Sequence, residues 1–245
     1  MALSRCDHAV AGTRSWSPAP REISLGDNDI HIWCASLDDC REQRWRLEAV
    51  LSDDERERAS TFHFAEDRDR FIASRGILRE LLARYLHQPA AAITFSKGRF
   101  GKPEIADRGR SSRVHFNASH SGTLAIYAVT SACPVGIDIE RVRDISDFDA
   151  VALRHFAPLE FRLLLAAPPD RRREAFLGYW TRTEAFLKAT GAGLGGERRA
   201  APSSDWHLHT LWPAAGYVAA VAYTHDAAQL SLWTFTEEAL CRSQS

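Results

Sequence analysis

Lysine is nearly absent from this chain. Only Lys97, Lys102 and Lys188 occur among 31 lysines and arginines, which leaves 28 arginines. An arginine-favouring genome accounts for the bias as a whole. The positions that keep lysine are then worth examining, because the two cations differ in shape and hydration. Long hydrophobic runs are missing too: no apolar stretch approaches the ~18 residues of a membrane span. The opening MALSRCDHAVAGTRSWSPAP lacks the apolar centre of a secretory signal. Net charge is only −1, which argues against a nucleic-acid partner held by a bulk basic field. The five cysteines, Cys6, Cys34, Cys40, Cys133 and Cys241, are odd in number and form no C-x-x-C pair. That fits neither a disulfide framework nor a zinc site. The expectations are free thiols, a cytoplasmic location and no membrane or nucleic-acid partner.

What the chain does contain is a core. Its 245 residues are 45% hydrophobic, with seven Trp and twelve Phe, too many for a solvated coil and enough for one large domain or two small ones. Residues 1–20 read as a loose leader. A strand region spans Ile23 to Ala35, with a turn at Gly26-Asp27-Asn28. Asp38 or Asp39 is positioned to cap a helix running to Leu51, and Ser52 with Glu55 forms a capping-box pattern. Apolar residues at helical spacing predict a long helix from Ala65 to Leu86, stopped by Pro89. Strand signals follow at 93–96, 114–117, 123–130 and 135–139. Ser146 opens a second helical stretch, Asp170 caps a long helix to Thr190 with Gly191 as its stop, and strands are expected at 206–211, 216–223 and 230–235. Helices followed by a β-meander, twice over, suggest two similar α+β halves, 21–131 and 132–245.

Five constellations could carry chemistry. In the strand Gly136-Ile137-Asp138-Ile139-Glu140, the two carboxylates share a face; they are either an edge strand's solvent face or oxygen ligands for a hard cation such as Mg²⁺. Phe176, Trp180, Glu184 and Lys188 fall on one helix face, so Glu184 is either half of a plain i,i+4 pair with Lys188 or functional. Ser119, His120 and Ser121 read as a loop between strands, with donors for phosphate oxygens or for their own backbone; nothing resembles a hydrolase nucleophile elbow. Lys102, stiffened by Pro103, is a point charge for phosphate or part of a turn. Arg68, Arg75 and Arg79 lie roughly along one helix face and form a solvated row or an anion contact.

Taken in order, GKP (101–103), FNASHSG (116–122), PVGIDIE (134–140) and WTRTEAFLKATGAGL (180–194) resemble the phosphopantetheinyl transferases of the Sfp type. AEDRDRFIASRGILRELL (65–82) resembles the family's first long helix. The resemblance implies two pseudo-symmetric α+β halves with the active site at their interface. It implies transfer of the 4′-phosphopantetheine arm from coenzyme A to a serine of an apo-carrier protein, with Mg²⁺ and release of adenosine 3′,5′-bisphosphate. On this reading Asp138, Glu140 and Glu184 hold the metal, and Glu184 is the general base. Lys188 neutralises leaving oxygens. Lys102, Ser119, His120, Ser121 and Arg75 hold coenzyme A, and Arg56 or Arg58 reaches its 3′-phosphate. The family commonly has W-x-x-K-E where this chain has Thr183, a change in local charge balance or carrier contact. A monomer is expected, since one chain supplies both halves. The alternatives are a catalytically silent coenzyme A- or carrier-binding relative, and a Mg²⁺-dependent enzyme with a small-molecule acceptor.

Overall fold

The computed structural model describes residues 15–98, 102–106, 114–143, 148–191 and 205–236. The architecture is α+β, in four layers. Three helices, α1 (Arg44–Ala49), α2 (Asp53–Ser60) and α3 (Ala65–Leu86), cover a five-stranded sheet. Its strands are β1 (Ser17–Pro18), β2 (Asp29–Ser36), β5 (His115–Ser121), β6 (Leu124–Thr130) and β10 (Gln229–Thr234), in the order β1-β10-β2-β6-β5. Behind it lies an antiparallel sheet of β7 (Gly136–Arg141), β9 (Tyr217–Tyr223) and β8 (His207–Leu211). On that sheet pack α4 (Phe148–His155), α5 (Pro158–Ala166) and α6 (Arg172–Thr190). A small hairpin, β3 (Phe95–Lys97) and β4 (Pro103–Ile105), flanks the first half.

Period-2 alternation builds the layers. Along β2, Trp33 and Ala35 face the helices while Ile30 and Ile32 face the second sheet. Along β6, Ala125, Tyr127 and Val129 face α3, whereas Ile126 and Ala128 face the second sheet. Ile137 and Ile139 of β7, with Ala219 and Val221 of β9, complete that inter-sheet core. Ala220 and Ala222 point the other way, onto Ala185 and Ala189 of α6.

The helix α3 has the bounds read from its periodicity, and its end is a left-handed His87 (φ 50°) ahead of Pro89. The Ser52–Glu55 capping box is present, and Gly191 (φ 65°) ends α6. Other expectations shift. The first helix starts at Arg44, after turns, because the Asp38 carboxylate is taken by Arg70 of α3 (3.2 and 3.4 Å) and does not cap. The α6 N-cap is Arg171, not Asp170. Residues 15–20 of the expected loose leader are tied down: β1 runs parallel to Trp233–Thr234, and Ser17 Oγ donates to the Leu232 carbonyl. The last strand, β10, pairs in parallel with β2, so the chain returns to the first sheet. Ser146, Cys6 and Cys241 lie outside the described residues. Cys34, Cys40 and Cys133 are buried free thiols, and burial pushes the Cys34 thiol up to about 12.

The row of arginines on α3 is not uniformly solvated. Arg79 is 1% exposed; its Nε donates to Glu55 Oε2 (2.6 Å) and its Nη1 to the carbonyls of Ala90 and Ile93. Arg75 pairs with the other Glu55 oxygen at 3.4 Å. One carboxylate therefore caps α2, anchors α3 through Arg79 and pairs with Arg75.

A second buried polar group gives the fold a pH dependence. His31 Nδ1 shares a hydrogen bond with Tyr85 Oη at 3.0 Å, and the same Oη accepts from Trp33 Nε1 at 2.8 Å. With Trp33 donating to it, the phenol keeps its own proton available for His31 Nδ1, the arrangement that a neutral imidazole accepts. Burial holds the His31 pKa down to about 4, with only partial opposition from Asp29. The unfolded chain takes up a proton near pH 6.5 and the native state does not until pH 4, so stability falls as pH drops through that window. By linkage the loss is about 2 kcal/mol between pH 7.5 and pH 5. Urea unfolding of wild type and His31→Gln at both pH values checks this: the variant should lack that share of the acid sensitivity, and equal sensitivity would refute it.

Candidate active site

The two sheets meet along β5 and β7, where polar side chains replace the apolar inter-sheet filling. Asn117, Ser119 and Ser121 occupy alternate positions of β5, opposite Ala128, Ile126 and Leu124 of β6, and so face the second sheet. Asn117 Oδ1 accepts the Ile137 amide at 2.8 Å. Ser121 Oγ accepts the Arg141 amide at 3.1 Å and donates to Glu140 Oε2 at 2.9 Å. Ser119 Oγ donates to Asp138 Oδ1 at 2.8 Å. The expected serine-histidine loop is therefore strand. Its polar residues look loop-like in sequence because they satisfy β7 and not solvent. The tight turn follows at Gly122 (φ 57°), where a Cβ would crowd Tyr217 Oη; that hydroxyl also hydrogen bonds Thr123.

Asp138 points toward α6. Its side chain is 6% exposed, and Lys188 Nζ donates to Oδ1 at 2.6 Å and to Ser119 Oγ at 2.9 Å. Strand β5, strand β7 and helix α6 thus converge on one carboxylate oxygen. The other, Oδ2, is buried with no hydrogen-bond partner among the described residues. Glu140 shares the Asp138 side of the strand, and its carboxyl is held above the usual range, first by burial and then by the Asp138 charge. His120 faces the other side of β5 and is exposed. Surrounding protein lowers its pKa, and the charges of Lys188 and Arg75 lower it further. Its lowered pKa favours the neutral imidazole, and the two cations that act on it are Arg75 of α3 and Lys188 of α6. Lys102 Nζ donates to the backbone carbonyls of Val135 (3.1 Å) and Lys188 (2.8 Å); burial depresses its pKa.

Two family models cover most of the chain. Residues 134–242 match the 4′-phosphopantetheinyl transferase superfamily, and residues 39–132 match the 4′-phosphopantetheinyl transferase N-terminal model. The 4′-phosphopantetheinyl transferase HetI of a Nostoc species is 37% identical over 90% of this chain and 98% of its own length. The chain belongs to the 4′-phosphopantetheinyl transferase superfamily. A putative 4′-phosphopantetheinyl transferase of a Synechocystis species is 34% identical over 69% of each chain. A 4′-phosphopantetheinyl transferase of Bacillus subtilis is 35% identical over 61% of this chain and 64% of its own. The protein is accordingly a transferase with coenzyme A as substrate.

Within this transferase, Asp138, Glu140, Ser119, Ser121 and Lys188 come together at the seam, while Arg75 is held on Glu55 and the Phe95 ring and His120 is exposed on the other side of β5. Glu184, half-buried one turn before Lys188, lies on the same helix face. Arg56 and Arg58 do not join them among the described residues. Arg56 is spent on Asp53 and the Glu48 carbonyl, and Arg58 on Thr61 and the Phe62 ring. No group of three or more His, Cys, Asp or Glu converges as a metal cage among the described residues. Two carboxylates on one strand face, one with a buried oxygen that has no donor among the described residues, fit the oxygen ligands a hard cation takes. Among the described residues no helix is long and apolar enough to cross a membrane. Sequence reasoning gave Asn117, Glu55 and Tyr217 no part in building the site. Asn117 left a local signal in its alternation with Ser119 and Ser121, and Glu55 only its capping-box spacing.

Proposed function

We propose that this transferase moves the 4′-phosphopantetheine arm of coenzyme A onto a serine of an apo-carrier protein, acting as a cytoplasmic monomer with Mg²⁺. The observation that supports it best is the three-way contact of Ser119, Asp138 and Lys188, beside the unsatisfied Oδ2. In this reading Asp138 and Glu140, with Glu184, would hold Mg²⁺, which when bound would neutralise charge on the pyrophosphate. His120, Arg75 and Ser119 bind phosphate oxygens. Glu184 takes the proton of the carrier serine as its oxygen bonds to phosphorus. The bond from that phosphorus to the bridging oxygen breaks, and adenosine 3′,5′-bisphosphate leaves. Lys188 stabilises the leaving oxygens. Catalysis of this kind is largely positioning and electrostatics, and a seam rigidly bonded to both sheets suits it.

Purified protein with Mg²⁺, coenzyme A and a panel of apo-carrier domains, read by mass, is the test. Wild type should add one phosphopantetheine per carrier. Asp138→Ala and Glu184→Ala should lose turnover by at least about a hundredfold, the scale of a lost transition-state electrostatic contact. Either variant loading at the wild-type rate would refute its assigned role, and failure of wild type with every carrier would refute the reaction.

A further inference from the structure

Lys102 does more than its motif suggests. Its ammonium donates to the carbonyl of Val135, the residue immediately before β7, and to the carbonyl of Lys188, in the last turn of α6. The final four carbonyls of a helix have no partner inside it, and their end of the helix favours a cation. Lys102 thus caps α6 from outside the helix. Its own anchor lies in the other half of the molecule. It stands just before β4, its carbonyl accepts the Gly98 amide at 2.8 Å, and the β3–β4 hairpin packs into the first core through Ile105 and Phe95. A single ammonium therefore joins the first half to two elements of the second, at the point where those elements present the site. Val135 is three residues from Asp138, and Lys188 is held at both its ends: by its carbonyl on Lys102 and by its ammonium on Asp138 and Ser119.

We infer that Lys102 is a positioning residue that fixes the spacing of α6 and β7, and through it the approach of Lys188 and Glu184 to Asp138, and is not chiefly a coenzyme A contact. The inference rests on the transferase reading above. It also explains the lysine at this position. A compact tetrahedral ammonium donates here to two carbonyls from different elements; a planar guanidinium is bulkier, holds its N–H groups in a fixed fork and needs a wider gap to do the same. In a chain with 28 arginines and three lysines, charge alone would have been met by arginine. Misplacing reacting groups by about 1 Å costs up to about a hundredfold in rate, so a lost clamp registers in kcat.

The test is steady-state carrier loading by Lys102→Arg and Lys102→Met, with coenzyme A affinity measured by calorimetry on each. Both variants are expected to lose about tenfold or more in kcat, while KM and Kd for coenzyme A stay within about twofold of wild type. A phosphate contact predicts the opposite split: KM and Kd rise in Lys102→Met, kcat holds, and Lys102→Arg restores binding because it keeps the charge. That result, or wild-type kcat in Lys102→Arg, overturns the proposal. Lys102→Arg retains the charge and serves where Lys102→Met fails to fold. Absence of loading by wild type would refute the transferase reading itself and is thereby separate from either outcome.

Discussion

Lys188→Met should lower stability by about 3 kcal/mol and abolish carrier loading to within detection. The stability loss follows from the environment of its partner. Removing one member of a buried ion pair costs about 3–5 kcal/mol, because the remaining charge is left without compensation. Asp138 is 6% exposed, whereas the Lys188 side chain keeps 30% of its surface, so the low end of that range applies. With lysine gone, Ser119 Oγ is the sole remaining donor to Oδ1 among the described residues, and Oδ2 has none among them. The catalytic loss is separate: it removes the cation proposed to meet the leaving oxygens. A double variant distinguishes the two effects. Asp138→Asn with Lys188→Met replaces a broken charge pair by two neutral side chains and should recover most of the stability, while loading stays absent. The measurement is urea unfolding of both single variants and the double, read as a cycle. Additive losses would show that the 2.6 Å contact carries no coupling.

Much of the framework that makes this pair possible is legible in sequence, and what is not has a common cause. The bounds of α3 follow from 3.6-residue spacing and from Pro89, and the end of α6 from Gly191; these signals are local. The strand β7 follows from Ile137 and Ile139 alternating with acids. The errors arise where a distant residue takes a group that would otherwise act locally. Asp38 is a good cap by type, but Arg70 of α3 occupies its carboxylate. Arg79 belongs to a charged row that reads as solvated, yet Glu55, 24 residues away, draws it fully inside. Ser119 and Ser121 read as loop because their partners, Asp138 and Glu140, lie on another sheet. The strand at 229–234 is recognisable from its pattern, but nothing in that pattern tells which sheet receives it. The carboxylates and the lysine of the site could be named because residue type limits their chemistry. The clamp by Lys102 could not, since it uses backbone carbonyls, which every residue has.

The second large effect is expected from a residue with no side chain. Gly136 opens β7 directly beneath α6, and a Cβ built there would fall inside contact distance of the Ala185 carbonyl oxygen and the Ala189 amide nitrogen. Both obstacles are helix backbone, so no rotamer change relieves them; α6 must move as a body or β7 must bend. Overpacking of a well-filled interior typically costs about 1–3 kcal/mol and occasionally more, and backbone against backbone belongs at the upper end. The close approach is a sequence property of the whole interface. Ala185, Ala189, Ala220 and Ala222 are small residues that let helix and sheet lie together, and that closeness is what allows Lys188 to reach Asp138 at all. Gly136→Ala should therefore lower stability by about 3 kcal/mol and cut loading by about a hundredfold, the cost of roughly 1 Å of misplacement. Gly178→Ala is the matched control on the same helix. Its added methyl meets nothing within 4 Å, and exchange of helical glycine for alanine should stabilise by about 0.5–1 kcal/mol with loading unchanged. Denaturant midpoints and loading rates for the two variants decide the matter. Wild-type stability and turnover in Gly136→Ala would mean that α6 can shift without disturbing the Asp138–Lys188 contact, and the role given to the narrow α6–β7 gap would fall.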